Sequence, residues 1–150
     1  NMPARKRNAH ILMDILGQTP QIKYMPIDTE ERQNGWFVCA FSLDIEKMNC
    51  DIQTFVKAAG AEGVPCWKVF WPQCHTEKAF TAQNGFGRTG FPFVSKEYAD
   101  PESVDYSKVD VPNARWHEKH TFTCFAYPTF TEEDMVQIGN ALVKVIKAYS

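Results

Sequence analysis

Ala61-Glu62-Gly63-Val64-Pro65-Cys66-Trp67-Lys68-Val69-Phe70-Trp71-Pro72-Gln73-Cys74-His75 joins a helix end, an aromatic run and a proline stop in fifteen positions. Gly63 suits a helix end because glycine enters the left-handed conformation without a Cβ clash. Pro65 then bars the helix from resuming. Residues 66–71 are rich in aromatic and branched side chains, so they read as a buried strand, and Pro72 ends it by removing a backbone donor. His75 and Thr76 stand where either caps the next helix. A strand alternates its faces, so Trp67, Phe70 and Trp71 do not all reach one side, and one face meets something other than the core.

Upstream, Ile52, Phe55, Val56 and Ala59 recur at helical spacing over residues 51–61, with Asp51 placed to cap the first turn. Residues 36–43 are too continuously apolar for a solvent-facing edge and read as a second strand. Pro20, Pro26 and several polar residues mark 18–35 as loop or irregular extended chain. The first helix covers residues 5–16, with Ile11, Leu12, Ile15 and Leu16 on one stripe and Gly17 as its stop.

Downstream, a short helix is expected over 76–82, followed by an aperiodic stretch, 83–111, of a length associated with functional or mobile loops. Pro112 opens a helix to residue 120, and residues 121–126 make a third strand. Thr131 and Asp134 form a capping-box pair, and Met135, Ile138, Leu142, Val145 and Tyr149 line the final helix. The order predicts an α+β fold with a small antiparallel or mixed sheet of about three strands, covered by helices on one side.

At 150 residues and 44% hydrophobic content the chain is one domain, able to hide roughly 70% of its unfolded surface. Its 16 basic and 18 acidic residues leave a charge of -2, which makes no case for a nucleic-acid or membrane partner. Arg5-Lys6-Arg7 is the one basic cluster and reads as the solvated face of the first helix. Five irregularly spaced cysteines argue for free thiols in a reducing, cytoplasmic setting. Cys50, Cys66, Cys74, His75 and His117 lack the close ligand pairs of structural zinc, so no metal site is expected.

Gly85-Phe86-Gly87-Arg88-Thr89-Gly90 has the glycine spacing of a dinucleotide loop, but Pro92 follows and no helix opens to aim backbone donors at a pyrophosphate. A flexible loop is the better reading, with Arg88 suited to a substrate phosphate through its guanidinium fork. A cysteine–histidine hydrolase needs a base within hydrogen-bond reach, which spacing alone does not show. His117 and His120 sit near a helix end, where a capping role is expected.

The stretch at 61–75, together with Cys124-Phe125-Ala126-Tyr127-Pro128-Thr129-Phe130-Thr131-Glu132-Glu133-Asp134, resembles the carboxy-terminal domain of the DegT/DnrJ/EryC1/StrS aminotransferases, sugar-modifying enzymes that use pyridoxal phosphate. Arg5-Lys6-Arg7-Asn8-Ala9 matches the Arg-Arg-Asn-Ala-like run before that domain. Gly63-Val64-Pro65, Phe70-Trp71, Pro72 and His75 match its Gly-Ile-Pro strand, paired aromatics, proline and histidine. Tyr127 to Asp134 match the Tyr-Pro-x-x-Thr-Glu-Glu-Asp run that opens its last helix. The chain departs from the pattern with Trp71, where tyrosine is common, and with Trp67-Lys68 before it.

The resemblance implies a carboxy-terminal fragment of an enzyme that moves an amino group from glutamate or glutamine to a keto sugar, often nucleotide-linked, or a keto-cyclitol. Phe70, Trp71 and His75 become candidate substrate-side residues beside Arg88. The lysine that carries pyridoxal phosphate, the aspartate on its ring nitrogen and the phosphate-holding residues belong to a large domain outside these residues. The chain then carries no catalytic or cofactor-binding residue, is inactive alone, closes the substrate pocket and joins a homodimer. The alternative is a stand-alone binding module presenting its aromatic strand to a partner.

Overall fold

Asp51 and Thr131 each begin a helix in the computed structural model, which describes residues 1–69 and 73–150. Asp51 accepts the Thr54 backbone N–H at 2.7 Å. Thr131 accepts that of Asp134 at 3.1 Å while its own N–H donates to the Asp134 carboxylate at 2.8 Å, so the capping box is closed in both directions. In chain order the elements are α1 (Met2–Leu16), β1 (Ile22–Tyr24), β2 (Cys39–Leu43), α2 (Ile52–Ala61), β3 (Cys66–Lys68), α3 (Lys78–Thr81), α4 (Pro112–His120), β4 (Thr121–Cys124) and α5 (Glu132–Ala148). Two units divide the chain: Asn1–Val69 with His117–Ser150, and a second whose described residues run from 73 to 116.

The sheet of the first unit has the order β1-β2-β4-β3, with every pair antiparallel. Phe41 lies opposite Phe122, and Cys39 opposite Cys124. On that face Cys39, Phe41, Leu43, Phe122 and Cys124 are fully buried against Leu12 and Leu16 of α1, Phe55 and Ala59 of α2, and Leu142 and Ile146 of α5. The Phe122 ring lies 5.6 Å from Phe41 and 5.0 Å from Phe55, centre to centre. Each such side chain contributes about 1.5–3 kcal/mol by leaving water, which makes this one-sided layer the source of the unit's stability. Gly139 of α5 brings that helix against α1, because a Cβ there would stand 2.7 Å from Ile15 Cδ1.

The α+β architecture is as expected, with four strands instead of about three. β1 was hidden because its apolar alternation, Ile22 and Tyr24 about Lys23, is only three residues long and lies between prolines. β2 starts at Cys39 and not at Trp36, since Trp36 takes a φ of 48° and turns the chain there. β4 stops at Cys124, although Ala126 beyond it is still fully buried. Gly63 has the expected left-handed φ of 86°. Gly17 ends α1 at φ −63°, so it is needed for closeness instead: a Cβ would lie 2.8 Å from the Met13 carbonyl oxygen.

In the second unit, Glu77 precedes α3 without a capping bond, and the Thr76 hydroxyl donates to the Gln73 carbonyl, so neither His75 nor Thr76 caps that helix. Residues 83–111 are irregular, as expected from their lack of period, and carry two short 3-10 turns, Pro101–Val104 and Tyr106–Lys108.

Candidate functional site

Asn8 ties the first motif to the last. Fully buried on α1, it donates its side-chain amide to the carbonyls of Tyr127, at 2.7 Å, and Phe130, at 3.0 Å. Those carbonyls lie in the turn before α5, where the helix itself offers no partner for them. The amide therefore sets the path of the Tyr127–Phe130 turn. The preceding basic run is not simply a solvated face. Arg5 donates to the Trp36 carbonyl at 3.5 Å, Lys6 pairs with Asp28 at 3.5 Å, and Arg7 donates to the Asn8 side-chain oxygen Oδ1 from two nitrogens at 3.0 Å.

Asp28 is the second hub. Its carboxylate accepts the Asn34 backbone N–H at 2.8 Å and the Trp36 indole N–H at 3.2 Å, and lies 3.1 Å from His10 Nε2. These bonds, the Asn34 backbone one foremost, hold its pKa well below the usual carboxylate range.

The second face of the sheet carries aromatics. Trp67 is opposite Thr123, on the side away from Cys66, Phe122 and Cys124. Its ring lies 4.5 Å from Phe125, which lies 4.5 Å from Tyr127 and 5.7 Å from Phe37, while Tyr127 continues to Phe130 at 5.4 Å. Phe37 is 65% exposed at one end of this row. The sequence showed that Trp67, Phe70 and Trp71 do not share one face, but not that Phe37 and the Phe125–Phe130 segment join Trp67 in one row.

Ser42 and Thr121 pair across β2 and β4 with hydroxyls 2.8 Å apart, and His117 Nδ1 lies 3.3 and 3.2 Å from them. His120 is buried, and its Nδ1–H donates to the Leu43 carbonyl at 3.0 Å. Both histidines therefore serve the sheet, where a helix-capping role was expected.

Phe70 and Trp71 lie outside the described residues. His75 lines a pocket of about 210 Å³ in the second unit, with Phe80, Thr81, Gln83, Asp105, Tyr106 and Ser107. The Phe80 and Tyr106 rings meet edge to face at 5.0 Å and form its apolar wall. Asp105 accepts the Ser107 backbone N–H at 3.0 Å, and hydrogen bonds from Ser107, its hydroxyl first, lower the carboxyl pKa. The pocket thus offers an aromatic wall, a carboxylate, an amide and hydroxyls.

Arg88 is exposed and does not line that pocket. It stands in a hairpin closed by the Phe86 N–H donating to the Phe91 carbonyl at 2.7 Å, with Gly87 at φ 65° and Gly90 at φ 73°. A Cβ on Gly85 would come within 2.4 Å of the Gly90 backbone. The three glycines serve this tight return, and no helix follows to receive a pyrophosphate.

No lysine is buried, so none has the desolvated setting that activates an amine toward a carbonyl. No group of three or more histidine, cysteine or acidic side chains among the described residues is arranged to hold a metal ion. No helix among them is long and apolar enough to cross a membrane.

No family model and no curated protein sequence matches the chain. Solved structures do. The chain is similar in fold to the aminotransferase from Psychrobacter cryohalolentis, with a TM-score of 0.72 at 15% identity over 99% of this chain and 35% of that one. It is also similar to a GDP-4-keto-6-deoxymannose-3-dehydratase with a trapped PLP-glutamate geminal diamine, with a TM-score of 0.56 at 13% identity over 94% of this chain and 31% of that one. The chain therefore has the α+β fold of a segment of such enzymes and spans about a third of their length.

Proposed function

We propose that this chain is the small carboxy-terminal domain of a pyridoxal-phosphate-dependent aminotransferase of the DegT/DnrJ/EryC1/StrS type, acting on a keto sugar or keto-cyclitol with glutamate or glutamine as donor. The observation that carries the reading is the fold likeness over 99% of this chain to about a third of an aminotransferase. The matched motifs support it independently, because Asn8 physically joins the run that contains it to the Tyr127–Phe130 turn.

Under this reading the cofactor belongs to the large domain, where it supplies an electron sink for amino-group transfer. This chain's residues position and enclose. The Trp67–Phe125–Tyr127 row supplies a rigid apolar surface against the large domain or the bound substrate, and rings fixed by mutual contact need little ordering on docking. Phe70, Trp71, His75 and Arg88 are the proposed substrate-side residues, with His75 backed by the Phe80–Tyr106 wall. The intact enzyme is proposed to be a cytoplasmic homodimer.

Sequencing the gene upstream of the Asn1 codon tests the assignment. An open frame continuing through a large domain with a candidate cofactor lysine is expected, and an in-frame stop followed by a start codon near Met2 would leave the binding module in its place. Incubating the chain with pyridoxal phosphate and glutamate, then reducing with borohydride, tests the division of labour. No turnover and no single labelled lysine are expected, whereas stoichiometric trapping at one lysine with transamination refutes it.

A further inference from the structure

Three of the five cysteines lie side by side across the sheet: Cys39 on β2, Cys124 on β4 and Cys66 on β3, each in register with the next. The two pairs differ in kind. Beyond β3, the Val69 N–H donates to the Thr121 carbonyl at 3.3 Å, which makes 69 and 121 a hydrogen-bonded pair. Antiparallel pairs alternate, so 68 with 122 is non-hydrogen-bonded, 67 with 123 hydrogen-bonded, and Cys66 with Cys124 non-hydrogen-bonded. The Cys66 N–H agrees, donating to the Val64 carbonyl at 2.9 Å and not to β4.

Non-hydrogen-bonded partners have their Cα atoms about 4.5 Å apart and their side chains closest, inside the roughly 4.4–6.8 Å range that a disulfide spans. The backbone groups of Cys124 turn toward β2 instead, which makes Cys39 with Cys124 the wider, hydrogen-bonded type. Cys39 is also fully buried, and burial pushes its thiol up to about 12.

We propose that Cys66 and Cys124 form a reversible disulfide when hydrogen peroxide is the oxidant, fastening edge strand β3 to β4. Cys66 is the attacking residue because it is partly exposed while Cys124 is buried. A hydrogen bond between the two thiols lowers the Cys66 pKa and raises that of Cys124, so the thiolate forms on the accessible sulfur. The Cys66 thiolate attacks one peroxide oxygen, the O–O bond breaks, and the hydroxide released takes up a proton to become water. The Cys124 sulfur then displaces the hydroxyl from the Cys66 sulfenic acid and gives up its proton, releasing a second water. Two thiols lose two electrons and one peroxide is reduced. This inference is independent of the proposed enzymatic role, since it rests on the strand register and on the exposure and contact of the two thiols.

The test uses the chain with its exposed thiol removed, Cys74→Ser, leaving four cysteines. The reduced protein is treated with one equivalent of hydrogen peroxide, alkylated under denaturing conditions and mapped by mass spectrometry without reduction. A Cys66–Cys124 linked peptide is expected, with two of the four thiols lost and both regained on dithiothreitol. Cys66 oxidised or unreacted while Cys124 is alkylated overturns the proposal, as does a Cys39–Cys124 link. In a Cys124→Ser variant a dimedone adduct at Cys66 is expected to accumulate. Should that variant not fold, the map of the Cys74→Ser chain decides alone.

Discussion

Replacing Asn8 by alanine removes two buried hydrogen bonds, to Tyr127 at 2.7 Å and Phe130 at 3.0 Å, without touching the hydrophobic layer. Each bond contributes about 1 kcal/mol net, and two carbonyls left short of a partner add about 1 kcal/mol more. The carbonyl penalty is not larger because Tyr127 still accepts the Phe130 N–H at 3.1 Å and Phe130 still accepts Arg7 at 3.3 Å. Asn8→Ala should therefore cost about 3 kcal/mol, lowering the thermal midpoint by roughly 6–12 °C for a chain of this size. Lys144→Ala is the control: its side chain is 68% exposed and its pair with Glu62, 2.7 Å away, is solvated, so it should cost less than about 1 kcal/mol. Urea unfolding followed by both far-ultraviolet dichroism and tryptophan fluorescence reads the two values, with coincident transitions required before either is used. A cost below about 1 kcal/mol for Asn8→Ala, or equal costs for both variants, refutes the argument that the motif run acts through the buried amide.

Asp28 should govern part of the acid limb of stability. Its folded-state pKa is depressed, chiefly by the Asn34 backbone N–H, so its contribution is complete above the unfolded value of about 3.9 and is lost as pH falls below it. Asp28→Asn should be less stable at pH 7 yet show a shallower decline from pH 5 to 3, and an unchanged slope in urea titrations would remove Asp28 from that role. Gly139→Ala places a methyl 2.7 Å from Ile15 Cδ1 and 3.3 Å from Ile15 Cβ, and the branched Cβ does not swing aside. Overpacking of about 2 kcal/mol should outweigh the helix-propensity gain of about 1 kcal/mol, leaving a net loss that Ile15→Ala relieves in the double variant. A stabilised Gly139→Ala would show that α1 and α5 separate freely.

Strong local signals survived folding. Gly63, Asp51 and the Thr131–Asp134 box act through bonds or dihedrals of their own few residues, so spacing alone located α2 and α5. What the spacing hid is what depends on distant partners. Asn8 sits in a basic run that looks solvated, and its role exists only because Tyr127 and Phe130 are brought to it from more than a hundred residues away. Trp36 continues an apolar run, yet a positive φ and a bond to Asp28 take it out of the strand. His120 follows the composition of a helix end but is drawn onto β2 by the Leu43 carbonyl.

The same contrast bears on where chemistry resides. Within the first unit Asn8, Asp28, Ser42, Thr121 and His120, polar groups of low exposure, meet backbone or side-chain partners of the same unit. A group whose bonds are already satisfied is poorly placed to move protons, because a reacting atom would have to displace a bond the fold uses. The aromatic row ending in exposed Phe37 and the His75 pocket of the second unit are surfaces suited to shaping and enclosing a ligand. Under the proposed function, such a unit completes a site whose reactive groups come from the large domain. Trp67→Ala should accordingly leave the core and its unfolding midpoint nearly unchanged, and in the intact enzyme it should alter KM more than kcat. A loss of kcat alone, with KM preserved, would place Trp67 in transition-state stabilisation and contradict the enclosing role.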